Sequence, residues 1–131
     1  MIDLDNKVLK NIVFLAKKNS SVEVIWLYGS RARHTAHKLS DYDLAIAFKD
    51  YVADPVERRL RPEILALQWK KELSIEISIL DINQVTLPLA YTVVADNCVL
   101  YSSNDYRLMD EEQKIMSKWE LDHLYHRKCY D

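Results

Sequence analysis

Apolar positions along this chain repeat in two rhythms, and the rhythm changes several times. Leu4, Val8, Leu9, Ile12, Val13, Leu15 and Ala16 recur at helical spacing. Asp3 or Asp5 can cap that helix, and Asn19-Ser20-Ser21 ends it. Val22 to Tyr28 is apolar except for Glu23 and rich in β-branched and aromatic residues, which predicts a strand buried on both faces. Gly29-Ser30 then predicts a turn, followed by a short helix and a loop. From Asp41 to Phe48 a strand with period two sets Leu44, Ile46 and Phe48 on one face, and Asp41, Asp43, Ala45 and Ala47 on the other. The small alanines leave room for a bound group beside the two carboxylates.

Asp54-Pro55-Val56-Glu57 is a helix start, with a cap, a proline at the first helical position and an acid in the first turn. Leu60, Ile64, Leu65, Leu67 and Trp69 continue it, and Pro62 inside the pattern predicts a kink or two short helices. Leu73 to Leu80 alternates, which predicts a strand with Ile75, Ile77 and Ile79 on one face and Glu76 on the more polar one. A helix from about Pro88 through Val94 follows, with Asn97 as a left-handed cap, then a short strand from Val99 to Tyr101. Ser102 to Asp105 caps a last helix whose apolar side carries Leu108, Ile115, Met116, Trp119 and Leu124. The order α-β-α-β-α-β-α-β-α predicts an α/β (α+β) fold, with a small mixed sheet of about four strands and helices packed on it. The chain's 131 residues suit one domain, with a core over 22–102, an N-terminal helix over 3–18 and a C-terminal helix over 104–126.

Composition narrows the class. Lys and Arg number 18 against 20 Asp and Glu, so no basic excess argues for nucleic acid as the main partner. Two cysteines, Cys98 and Cys129, are too few for a disulfide scaffold or a cysteine-rich zinc site. The N-terminus lacks a signal-peptide pattern, and the longest uncharged stretch, Ile82 to Ala95, is too short and polar for a membrane span. A reduced, cytoplasmic setting is expected. Gly29 is the only glycine. A chain that avoids glycine elsewhere keeps this one for geometry, in a tight bend or close against a ligand.

The chemistry gathers near that glycine. Two carboxylates one residue apart on a strand repel by roughly 4 kcal/mol at about 4 Å and an effective dielectric near 20. A fold tolerates this when a cation lies between them, and hard oxygen donors with an open side suit Mg²⁺. Glu76, on another strand, is the candidate third carboxylate, with Asp81 as its competitor; three carboxylates can hold two ions. Gly29 and Ser30 offer backbone N–H groups and a hydroxyl to the phosphates of a triphosphate, with Arg31 or Arg33 adding a guanidinium. Ser40, next to Asp41, joins this nucleotide-binding set. Gly-Ser, ten residues, then Asp-x-Asp arises by chance in on the order of a few in a thousand chains of this length. Arg58, Arg59 and Arg61 read as a solvated helix face, and His123 and His126 as surface residues. Trp119, Met116, Tyr125 and Tyr130 read as core or partner-facing positions.

The spacing GSX10DXD, from Gly29-Ser30 to Asp41 and Asp43, resembles the signature of the nucleotidyltransferase superfamily, and the small size resembles its minimal (MNT) branch. IEISILD is similar to the family's later carboxylate-bearing strand, with Glu76 in the acidic position. VADNCVLY is similar to the branch's C-terminal pattern, with Asn97 where glycine is usual. The resemblance implies a nucleotidyltransferase fold, with Asp41, Asp43 and Glu76 as metal-binding and catalytic residues, Mg²⁺ as cofactor and ATP as substrate. It also implies a partner, a HEPN-domain ribonuclease toxin. MntA-type antitoxins silence such toxins by transferring AMP to a tyrosine. Rival expectations are an antitoxin that only binds its toxin, a nucleotidyltransferase for a small molecule such as an aminoglycoside, and a DxD glycosyltransferase.

Overall fold

The computed structural model describes residues 2–37 and 40–130, and the side chains of 6–37 and 40–124 among them. The elements run α1 (Ile2–Lys17), β1 (Val22–Tyr28), β2 (Tyr42–Phe48), α2 (Pro55–Leu73), β3 (Ile77–Asp81), α3 (Leu87–Ala95), β4 (Val99–Ser102) and α4 (Asp105–Tyr130). The sheet order is β3-β2-β1-β4. β1 pairs antiparallel with both neighbours, and β2 with β3 is the parallel pair. The expected mixed four-stranded sheet with flanking helices is therefore present, in one small domain. No helix among the described residues is long and apolar enough to cross a membrane.

The period of two sorts β2 as its sequence dictates. Leu44, Ile46 and Phe48 pack with Val8, Ile12 and Ala16 of α1 and Leu65 and Trp69 of α2. Ala45 and Ala47 join Val24 and Trp26 of β1 beneath Ala90 and Val93 of α3 and Ile115 of α4. The two central strands are thus apolar on both sides, because helices cover both. Trp26 is fully buried, and its indole N–H donates to Glu112 Oε2 at 3.0 Å.

Two expectations need correction, and a third is narrowed to one of its alternatives. Between Ser30 and Ser40 the described residues hold no helix; the chain makes a turn closed by Arg33 N–H to Gly29 O (3.1 Å) and Thr35 N–H to Ser30 O (2.9 Å). His34, at φ 59°, takes the left-handed conformation that stops such a turn from propagating. The strand expected from Leu73 begins only at Ile77, because helix formers carry α2 through Leu73. Ser74, at φ 55°, then ends α2 with its N–H on Lys70 O. Pro62 does not divide α2 into two helices. A proline leaves the carbonyl four residues earlier without its helical donor. That carbonyl, Arg58 O, accepts from Gln84 Nε2 at 3.0 Å instead. Asp54 does cap α2, its side chain accepting from Val56 and Glu57 N–H, and Asn97 has the expected left-handed φ of 51°.

Two of the arginines read as a solvated face are not. Arg61 lies over the Phe48 ring and pairs with Asp50, and Arg58 donates to Tyr51 Oη at 2.6 Å and Val52 O at 3.0 Å. They tie the β2–α2 loop to the helix it enters. Nearby, Arg107 from the first turn of α4 donates to Glu23 of β1, the Phe48 carbonyl of β2, Asn83 and Glu111. That network fastens α4 to the sheet at the end where β2 finishes.

Candidate active site

At the opposite end of the sheet β1 finishes and β2 begins. Antiparallel register sets Tyr28 beside Asp43. The turn that follows β1 must therefore pass over Asp43. Gly29 does so at φ +78°, and a Cβ there would lie 2.6 Å from Asp43 Oδ2. The single glycine thus answers two demands, a left-handed backbone and closest approach to a carboxylate.

The carboxylates behave as a crowded pair. Burial pushes the Asp43 carboxyl above its ordinary value, the Asp41 charge pushes it further, and the Arg33 guanidinium opposes both. Asp41 is exposed. Tyr28 shares this environment: burial, then the charge of Asp43, raises its phenol to about 12. Two carboxylates with an open side fit a hard divalent cation that keeps water and phosphate oxygens as its other ligands.

The remaining candidates are distributed as follows. Arg33 Nη1 lies 3.4 Å from Asp96 Oδ1 and is exposed enough to move. Arg31 Nη2 donates to Ser40 O (2.8 Å) and His37 O (3.1 Å), and its guanidinium stacks on the Tyr42 ring, so it braces the loop that returns to β2. Ser40 Oγ accepts from His37 N–H at 3.0 Å within that loop. Glu76 precedes β3, and its backbone carbonyl accepts from Tyr42 N–H, which brings it level with the start of β2. Its side chain is 61% exposed and pairs with Lys70 at 2.7 Å. Asp81 lies at the far end of β3, beside Ile46, buried and hydrogen-bonded to Asn83 N–H and Gln84 Nε2. Its placement removes it as competitor for the third carboxylate. Among the described residues no three His, Cys, Asp or Glu side chains are grouped closely enough to hold a metal ion. The site therefore joins Gly29, Asp41, Asp43 and Arg33, with Glu76 alongside but held by Lys70.

One participant escaped sequence reasoning. Asp96, which ends α3, accepts the Gly29 N–H on Oδ2 at 2.8 Å. It stands next to Asn97 in a stretch that was legible as a helix end, but nothing local signals a contact across 67 positions.

A mixed sheet that brings a Gly-Ser turn against Asp43, two residues beyond the exposed Asp41, is an arrangement suited to a phosphate and its cation. The chain belongs to the polymerase beta nucleotidyltransferase family, which it matches over residues 10–106. No curated protein matches it. Among solved structures it is similar to a toxin–antitoxin complex with AMP-PNP, at TM-score 0.72 and 21% identity over 92% of this chain and 94% of that one. It is also similar to an MntA–HepT toxin–antitoxin complex, at TM-score 0.69 and 18% identity over 95% and 94% of the two chains. A third is the tri-AMPylated Shewanella oneidensis HEPN toxin with its MNT antitoxin, at TM-score 0.69 and 18% identity over 95% and 93%.

Proposed function

We propose that this chain is a Mg²⁺-dependent adenylyltransferase that moves AMP from ATP to a tyrosine hydroxyl of a HEPN-type ribonuclease partner in the cytoplasm, and so acts as an antitoxin. The observation that carries this reading is the close approach of the Gly29 backbone to Asp43, where a Cβ would lie 2.6 Å from Oδ2, so that a phosphate held by the turn and a cation held by the carboxylate would meet. Asp41 and Asp43 would hold the metal; bound there, it neutralises phosphate charge and lowers the pKa of the attacking hydroxyl. The Gly29-Ser30 turn holds the triphosphate, and Arg33 adds a guanidinium to it. Arg31 and Ser40 shape the loop behind Asp41. Glu76, once released from Lys70, joins the carboxylates and accepts the proton of the tyrosine hydroxyl. The acceptor attacks the α-phosphorus in line, and pyrophosphate leaves. The structural neighbours described as an AMPylated toxin with its antitoxin, and as a complex with an ATP analogue, support this choice of donor and acceptor.

The test is the intact mass of the co-expressed partner. It should rise by multiples of AMP with the wild-type chain, and stay unshifted with Asp41→Asn/Asp43→Asn. The engagement of Glu76 by Lys70 favours a second reading, an antitoxin that acts by binding alone. That reading prevails if the double variant still protects cells at native expression.

A further inference from the structure

The carboxylate of Asp96 is 9% exposed and makes two different contacts. Oδ2 receives the Gly29 N–H at 2.8 Å, a geometry typical of a firm hydrogen bond. Oδ1 meets Arg33 Nη1 at 3.4 Å, longer than a well-made ion pair. The Arg33 side chain is 54% exposed, and its charge also reaches Asp43. One exposed guanidinium thus stands between the carboxylate that holds the Gly29 turn and the Asp43 carboxylate. Asp96 remains a source of negative potential despite Arg33: after burial, it is the second cause that raises the Cys98 thiol. A triphosphate entering over Gly29-Ser30 would meet a turn held in shape by Asp96, and a guanidinium only loosely held by it.

We infer that Asp96 is a positioning residue of the nucleotide site: it fixes the Gly29 turn through one oxygen, and through the other it lends Arg33 to the incoming phosphates and takes it back when pyrophosphate departs. This rests on the nucleotidyltransferase reading and assigns an exchange step within that site. Two anions compete for one cation, so the Asp96 charge weakens triphosphate binding and aids release of the product. Removing the charge while keeping the acceptor should therefore tighten binding rather than weaken it, opposite to the effect of a merely structural loss.

Asp96→Asn does this, because the amide oxygen still accepts the Gly29 N–H. Calorimetric titration of the purified chain with a non-hydrolysable ATP analogue and Mg²⁺ should give a Kd about three- to fivefold lower in Asp96→Asn than in wild type, the scale of one exposed ion pair. Pyrophosphate should inhibit AMP transfer by the variant at correspondingly lower concentration. In an Arg33→Ala background the same Asp96→Asn change should leave the Kd unaltered. Unchanged or weaker analogue binding in Asp96→Asn overturns the inference, as does a gain that persists without Arg33. Wild-type chain that binds no analogue overturns the nucleotidyltransferase reading itself. Wild type that binds and transfers AMP, with Asp96→Asn indistinguishable from it, overturns only the exchange step. Thermal melting of each variant identifies loss through misfolding, and Asp96→Glu, which keeps the charge, should not reproduce the tighter Kd.

Discussion

Gly29→Ala is the smallest change that strikes the proposed site. The backbone there sits at φ +78°, where an L-residue costs roughly 1–2 kcal/mol. The new methyl would also start 2.6 Å from Asp43 Oδ2. The obstructing atom is the far end of a side chain, so Asp43 can rotate aside and the fold survives. For a domain of this size the backbone strain should lower Tm by roughly 3–10 °C. Typical stability of about 5–15 kcal/mol keeps nearly all molecules folded at 25 °C after such a loss. The catalytic effect should be far larger. Displacing a carboxylate proposed to hold the metal by about 1 Å should cost on the order of 100-fold in rate. Melting by circular dichroism and the rate of AMP incorporation into the partner, by intact mass, read the two effects separately. An alanine variant that transfers AMP at the wild-type rate would refute the claim that Gly29 is there to admit Asp43. Loss of activity only in proportion to unfolded protein would refute it equally.

Three further outcomes follow from the same geometry. Arg107→Met should cost about 1.5–3 kcal/mol, because half-buried Glu23 and buried Glu111 lose their charge-assisted bonds while each keeps an asparagine donor, and denaturant titration will measure it; nucleotide affinity should be unaffected. Tyr28 has a folded phenol near 12 against an ordinary value near 10, so the unfolded chain releases that proton first as pH rises. Its contribution is intact below about pH 10 and is lost between about 10 and 12; Tyr28→Phe should flatten that part of the alkaline stability curve. Asp43 is displaced upward, so in metal-free buffer the folded form holds its proton to higher pH than the unfolded form. Stability should then fall as pH rises through its folded pKa. Asp43→Asn should remove that fall, making the variant at least as stable as wild type at pH 7 in chelator, by urea titration.

The sequence carried the sheet and the site core because both are written in local periodicity. Alternation along 41–48 separated the carboxylate face from the Leu44–Ile46–Phe48 face, and the lone glycine marked the bend. Element ends were less legible where two signals compete. At Leu73 the alternation of LSIEISIL met the helix propensity of LQWKKEL, and the helix won until Ser74 turned left-handed. After Ser30 the basic run RARHTAH held no apolar face to pack, so one turn formed and stopped at His34. Pro62 looked like a breaker because its remedy, Gln84, lies elsewhere in the chain. Asp96 was hidden for the same reason, since its function is a contact between α3 and the end of β1.

The arrangement also explains how so small a chain can keep two neighbouring carboxylates together. Gly29, Asp41, Asp43 and Arg33 occupy one end of the β1–β2 pair, where repulsion between the carboxylates works against folding. The other end is cross-linked by side chains: Arg107 joins β1, β2 and α4 there, and Arg58 and Arg61 tie the β2–α2 loop down. Between the ends lie Val24, Ile25, Trp26, Leu44, Ala45 and Ile46, all fully excluded from solvent. That close-packed apolar middle holds the two strands in register between the two ends. The proposed site and the structural anchoring thus lie at opposite ends of the same two strands. Substitutions at the Gly29 end should change chemistry more than stability, and those at the Arg107 end should do the reverse.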